Sequence, residues 1–285
     1  RDPGGRTFQR LNRAEYERSI AQLLELEVDA GAYLPPDTVS AGFDNIADVQ
    51  RLSTTVMEGY LSAASEISRL AIGDPDAGPG EAGYEVPRYV SQRERVAGAP
   101  YGTRGGVSVL HTFPANGEYV FTMAFYDSPI AMLFGKTTYH DEQIEISING
   151  ERVALLDIDR YMDADNEYLE SGPIFVRSGQ QRVTAAFVQR IDGPVPDVLS
   201  PHNWSLADKD IGAAYGVTTR RHLRDLMIRG PYNAGGVSAT PSREKIFTCR
   251  PLSVAEERPC ATRIVERIGT EAYRRPLVPR DLDAL

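Results

Sequence analysis

The sequence predicts an α+β fold: a central antiparallel β-sandwich, jelly-roll-like, with small helical domains before and after it. Three observations predict this. Between Gly105 and Arg190 the chain runs as short alternating apolar and polar stretches broken by turn residues, the pattern of half-buried strands. Asn12-Arg13-Ala14-Glu15 and Ser253-Val254-Ala255-Glu256 both have the form of a capping box, each followed by apolar residues at helical spacing. Stretches rich in Gly, Pro and Asp, at 74–83 and 235–243, read as linkers. The expected domains are a helical domain over 1–75, a β-sandwich over 84–234 and the start of a second helical domain over 244–285.

In the first helix Asn12 accepts from the Glu15 amide while Glu15 reaches back. Tyr16, Ile20, Leu23 and Leu24 form its apolar stripe, and it should end between Glu27 and Gly31. Pro35-Pro36 forces an extended loop, and Gly42-Phe43-Asp44-Asn45 looks like a tight turn. Ser53 or Thr55 caps a second helix with Val56, Tyr60, Ala63, Ala64 and Ile67 inward, stopping at Gly73-Asp74-Pro75. Tyr89 to Val96 reads as the first strand, and the glycines of Gly102 to Gly106 as a loop.

Val107 to Phe113 alternates with a slip at Leu110. Pro114-Ala115-Asn116-Gly117 turns the chain, and Glu118 to Tyr126 returns with Tyr119, Phe121, Met123 and Phe125 on one face. Gln143 to Ile148 and Arg152 to Ile158 flank Asn149-Gly150, a strong type I′ hairpin signal. Tyr168 to Val176 and Gln181 to Gln189 add strands, the second with Val183, Ala185 and Phe187 inward. Leu223 to Arg229 closes at Gly230-Pro231. Asp192 to Arg221, which carries the only tryptophan, is too long for a plain connection. The third helix presents Cys260, Ile264, Val265 and Ile268 inward. Pro279 to Leu285 reads as the first turns of another helix, so the segment is expected to end inside a domain. Its opening, Arg1-Asp2-Pro3-Gly4-Gly5, reads as a processed or excised start.

Composition bounds the function. The chain has 285 residues and a net charge of −9, which argues against a general binder of nucleic-acid backbones. No apolar run approaches the ~20 residues needed to span a bilayer. Cys249 and Cys260 fit either a disulfide clipping a loop to the following helix or two reduced, buried thiols. Neither stands in a C-x-x-C-H pattern, so no c-type haem is expected within the segment. No nucleophile elbow, Walker loop or dinucleotide fingerprint occurs.

The densest acidic run is Asp157, Asp159, Asp163, Asp165 and Glu167. Such carboxylates can supply oxygens to calcium, but the run lacks the glycine of an EF-hand loop, and a solvated hairpin loop is the plainer reading. Asp157, Asp159, Asp163 and Asp165 are the candidate metal ligands. His111, His140, His202 and His222 do not pair at metal-ligand spacing, and surface or capping roles are expected for them. Tyr126, Tyr139, Tyr161, Tyr168, Trp204 and Tyr215 fall near expected loop ends, where an aromatic ring can stack on a sugar or seat a partner's side chain. Trp204 and Tyr161 are the candidate ligand-binding residues.

Several stretches resemble one family. Phe8-Gln9-Arg10-Leu11-Asn12-Arg13-Ala14-Glu15-Tyr16 with Gly42-Phe43-Asp44-Asn45-Ile46 resembles the first helical domain of planctomycete-type cytochrome-c-associated multidomain envelope proteins. Lys245-Ile246-Phe247-Thr248-Cys249-Arg250-Pro251 and Ala272-Tyr273-Arg274-Arg275-Pro276-Leu277 resemble the start of their next helical domain, also of unknown function. Thr112 to Tyr119 and Asp225 to Pro231 are loosely similar to the carbohydrate-binding-module-like sandwich between them. The resemblance implies an exported protein of the periplasm or cell surface, a disulfide between Cys249 and Cys260, and haem c in a domain upstream. It supplies no catalytic residues, and the stretch from Ser200 to Arg221 departs from the short loop it would predict.

The expectation is therefore a non-catalytic segment of an exported envelope protein, whose sandwich binds glycan or a partner subunit. The alternative is a part of a larger redox or hydrolytic enzyme whose active centre lies elsewhere. An open face lined by aromatics would favour glycan binding, a flat apolar face assembly, and paired carboxylates across a cleft hydrolysis.

Overall fold

The structure, a computed structural model, describes residues 10–39, 42, 52–87, 90, 92, 94–126, 141–159, 162, 168–189 and 221–283. The chain divides into two compact units, Arg1–Asp74 with Ser238–Leu285, and Pro75–Val237. The helical stretches at the two ends, read from the sequence as separate domains, thus form one unit.

In the helical unit, α1 (Arg13–Leu24) opens with the expected capping box: Asn12 accepts from the Glu15 amide at 2.8 Å, and the Asn12 amide donates to Glu15 at 3.0 Å. The helix ends earlier than its apolar pattern suggested, because Glu25 takes a left-handed conformation. Ser53 caps α2 (Thr54–Ile72), accepting from Val56. A short helix, α3 (Pro241–Ile246), lies where a linker was expected, with Pro241 pre-set for the first turn and Thr240 as its cap. In α4 (Val254–Tyr273) the expected capping box does not form. Ser253 makes no cap bond, and the Glu256 carboxylate accepts from Leu252 instead. The last helix is α5 (Pro279–Asp283). Tyr16, Leu34, Ala63, Ile67 and Ile246 form this unit's core, with Ile264 and Ile268 packed on it. Cys249 and Cys260 are joined by a disulfide, Cα to Cα 5.9 Å, as the resemblance implied.

The other unit is the sandwich, in two antiparallel sheets. The first sheet holds β1 (Gly80–Glu85), β9 (Leu223–Tyr232), β3 (Gly117–Phe125) and β6 (Tyr168–Glu170) in that order, and β7 (Ile174–Val176) also pairs with β3. The second runs β2 (Thr103–Phe113), β8 (Gly179–Val188), β4 (Gln143–Ile148) and β5 (Glu151–Asp157). Between the sheets lies a core of Phe113, Tyr119, Phe121, Met123, Phe125, Ile144, Ile146, Val183 and Phe187, each no more than 1 % exposed. The inward face read from the alternation of β3 is the buried one.

Three readings are corrected. The first strand is Gly80–Glu85, which begins inside the expected linker, and the described residues of 89–96 form no strand. β9 offers an unpaired ladder from Gly230 to Asp225, and a short Gly-containing edge strand can take it. Gly105 and Gly106 belong to β2 rather than to a loop, while Gly102 lies in the turn before it. The two strand glycines sit where the register of β2 on β8 shifts between Arg104 and Val107. Gly106 has φ +82°, and a Cβ there would lie 1.9 Å from the Ala185 carbonyl oxygen, so the bulge requires glycine. The strand expected from Tyr168 to Val176 is two strands. Pro173 lacks an N–H for the ladder, and Ser171 bridges the break: its Oγ accepts from the Phe121 amide at 3.0 Å.

Candidate functional site

Strand alternation that buries Tyr119, Phe121 and Met123 sends Glu118, Val120 and Thr122 to the outer face of the first sheet. Register then sets neighbours beside them. Thr122 stands opposite Met227 on one side and Glu170 on the other. Ala124 stands opposite Asp225 and Tyr168. Glu118 stands opposite Tyr232 and Phe175. Tyr168, Phe175 and Tyr232 are 56 %, 65 % and 38 % exposed, so this outer face carries exposed aromatic rings near both ends, while Thr122 and Ala124 between them are covered by their neighbours.

The middle of the face is polar and tightly organised. Arg229 Nη2 donates to Thr122 Oγ1 at 2.7 Å and to Glu170 Oε2 at 3.0 Å, and the Thr122 hydroxyl donates to the same Glu170 oxygen at 3.2 Å. Near one end the Arg224 guanidinium lies 5.8 Å from the Tyr168 ring centroid and donates from Nε to Asp225 at 3.0 Å. Asn233 Nδ2 donates to Glu118 Oε2 at 2.8 Å near the other. From Ala124 to Glu118 the face runs ~20 Å at the rise of an antiparallel strand.

The second place where charge gathers is one end of the sandwich. Strand registers bring Glu85, Thr103, Phe125, Gln143, Asp157, Tyr168, Val188 and Leu223 to that end, so the long connections leave and re-enter there. The opposite end has only short connections. Buried beneath it, Arg104 donates to the Gln92 carbonyl at 3.0 Å and to Glu142. The Arg104 guanidinium stacks 4.6 Å from the Phe187 ring. Arg221 Nε approaches Glu142 Oε2 at 3.3 Å without hydrogen-bond alignment, and its Nη2 donates to the Asp159 carbonyl at 3.0 Å. Burial pushes the Arg221 guanidinium below its usual range, opposed by the Glu142 carboxylate and then by Asp159. One carboxylate shared by two buried guanidiniums locks strand ends together. It is committed to those ion pairs.

Of the residues singled out from the sequence, Trp204, Tyr161, Asp163 and Asp165 lie outside the described residues, as do His140 and His202. Asp157 ends β5, where Gln143 Nε2 donates to it at 2.8 Å. With Asp159 set beside Arg221, these two do not make a calcium site by themselves. No group of three or more His, Cys, Asp or Glu able to hold a metal ion occurs among the described residues. His111 departs from the surface or capping role expected of it. It is half-buried between the sheets, and burial holds its pKa down to about 4. His222 is buried too, at 2 % exposure.

The sequence reading missed Glu118, Glu170, Phe175, Arg229 and Tyr232. A signal for Phe175 was present: it stands between Ile174 and Val176, so alternation sends an aromatic ring outward.

In the helical unit, α1 and the end of α4 enclose a cleft of about 730 Å³ lined by Leu11, Tyr16, Ile20, Leu23, Lys245 and Arg274. Among the described residues no helix is long and apolar enough to cross a membrane.

Residues 9–73 match the family described as PSD3, a protein of unknown function (DUF1587). This agrees with the helical domain of unknown function expected there. No curated protein matches the chain. Among solved structures, the chain is similar to a family 35 carbohydrate binding module from Clostridium thermocellum, at 14 % identity and a TM-score of 0.26, covering 53 % of this chain and 98 % of that one. It is also similar to dimeric latent PorU from Porphyromonas gingivalis, at 9 % identity and a TM-score of 0.27, covering 53 % of this chain and only 12 % of that protein.

Proposed function

We propose that the sandwich is a non-catalytic recognition module that binds a polysaccharide along the outer face of its first sheet, in a protein exported from the cytoplasm. The observation that carries this reading is the outer face on which exposed Tyr168 and Phe175 flank the hydrogen-bonded Thr122–Glu170–Arg229 triad. A pyranose ring presents C–H patches to an aromatic face and hydroxyls at its rim. Rings at the ends of the face and fixed donors and acceptors between them match that two-sided chemistry. The triad holds its side chains in place before a ligand arrives, which lowers the ordering cost of binding. The ~20 Å length fits several sugar units of an extended chain.

The disulfide supports export, since such bonds persist in oxidising compartments. Trp204 and Tyr161 are proposed as further contacts to the ligand. Affinity electrophoresis of the chain through gels holding soluble linear polysaccharides tests the reading. Retardation by at least one is expected, with the Tyr168→Ala variant running faster in that gel than the wild type. No retardation by any polysaccharide of a broad envelope and plant panel counts against the proposal.

A further inference from the structure

We infer that the row Phe175–Glu118–Tyr232 is a subsite for a protonated amine, so that the polysaccharide taken by this face carries free amino sugars. The inference rests on the reading of the face as a glycan surface and specifies its ligand. Glu118 on β3 stands in register with Phe175 on one side and Tyr232 on the other, and both rings are exposed. Directly opposed side chains in antiparallel strands have their Cβ atoms about 5 Å apart, so a carboxylate stands between two exposed rings. An ammonium group is attracted both by the faces of such rings and by the carboxylate. Asn233 Nδ2 orients the carboxylate by donating to one oxygen, and an ionised carboxylate retains further acceptor positions for a second donor.

The charge of the whole face points the same way. Arg224 pairs with Asp225 and Arg229 with Glu170. Among the described residues this leaves Glu81, Glu85 and Glu118 on the outer positions of the sheet with no guanidinium partner. An acidic polysaccharide would meet like charge here, and a cationic one complementary charge. A fully acetylated amino sugar offers an amide in place of the ammonium and forgoes the contact with Glu118.

The test is calorimetric titration of the whole chain with a glucosamine hexamer and with an N-acetylglucosamine hexamer. The wild type is expected to bind the glucosamine hexamer about tenfold more tightly while its amines are protonated, and to lose that preference when the pH is raised above the amine's titration. Glu118→Gln, which keeps the Asn233 contact in shape, should remove the preference by bringing the glucosamine hexamer down to the affinity of the N-acetyl hexamer. Equal affinity for the two hexamers, no binding of either, or a preference that survives Glu118→Gln overturns the inference. If neither hexamer binds but a neutral polysaccharide does, the amine subsite fails while the glycan reading stands; if no polysaccharide binds, both fall. A lysine pentapeptide that binds more tightly than the glucosamine hexamer would transfer the site to a protein partner and likewise overturn it.

Discussion

The Tyr84 hydroxyl lies 2.8 Å from Nδ1 of His111, and the two residues join the edge strand of one sheet to the edge strand of the other. Their rings meet edge to face at 6.0 Å. His111 in turn packs on Phe113 at 4.5 Å, and Phe113 on Tyr119 at 4.7 Å, so an aromatic row continues into the core. The position suits neutral imidazole, and desolvation lowers the His111 pKa to about 4.

That shift sets a pH dependence. The folded state binds the proton less well than the unfolded chain, whose His titrates near 6.5. The stability carried by neutral His111 is therefore fully present above ~6.5 and is lost as pH falls toward about 4. The loss should be about 2 kcal/mol once partial exposure is discounted. Thermal melts from neutral to acid pH should show it, and His111→Gln should flatten the curve in that window. An unchanged slope in the variant would assign the acid sensitivity to other groups.

Glu142→Ala would leave the guanidiniums of Arg104 and Arg221 buried without their shared carboxylate. A loss of about 3–5 kcal/mol in unfolding free energy is expected by chemical denaturation. Arg152→Ala, on an ion pair of 3.8 Å whose arginine is 56 % exposed, should cost less than about 1 kcal/mol. Similar costs for both would show that the buried cluster does not hold the strand ends.

Gly106→Ala tests the bulge in β2. The added methyl collides with the Ala185 carbonyl, and the backbone stands at positive φ, so a loss above about 2 kcal/mol is expected. Gly102→Ala, at a similar φ but with open space around it, should cost less.

The disulfide closes a short loop between residues 249 and 260, for which chain entropy gives about 2–3 kcal/mol. Replacing both cysteines by serine should lower the melting of the helical unit. Alkylation before and after reduction should show both thiols blocked in the native, unreduced protein. Two freely alkylated thiols without reductant would contradict the bond.

The layout of the sandwich was legible because period-two burial is strong where both sheets face a core. Tyr119 to Phe125 and Ile144 to Ile148 announce their inner faces directly. What the sequence did not announce rests on long-range pairing. Gly80–Glu85 becomes a strand through the ladder of β9, and Arg104 finds Glu142 and Arg221 through the register of distant strands. The candidate face is of the same kind. Glu118, Phe175 and Tyr232 are far apart along the chain and become neighbours only through two strand pairings.

The central claim is that the outer face of the first sheet holds a polysaccharide between its aromatic ends. It is tested most directly by calorimetric titration of a retained polysaccharide into the wild type and into the Tyr168→Ala, Phe175→Ala double variant. The prediction is a loss of tenfold or more in affinity, from about 1–2 kcal/mol of ring contact at each end, with an unchanged melting temperature because both rings are exposed. A double variant that melts like the wild type and binds the polysaccharide equally well would contradict the claim.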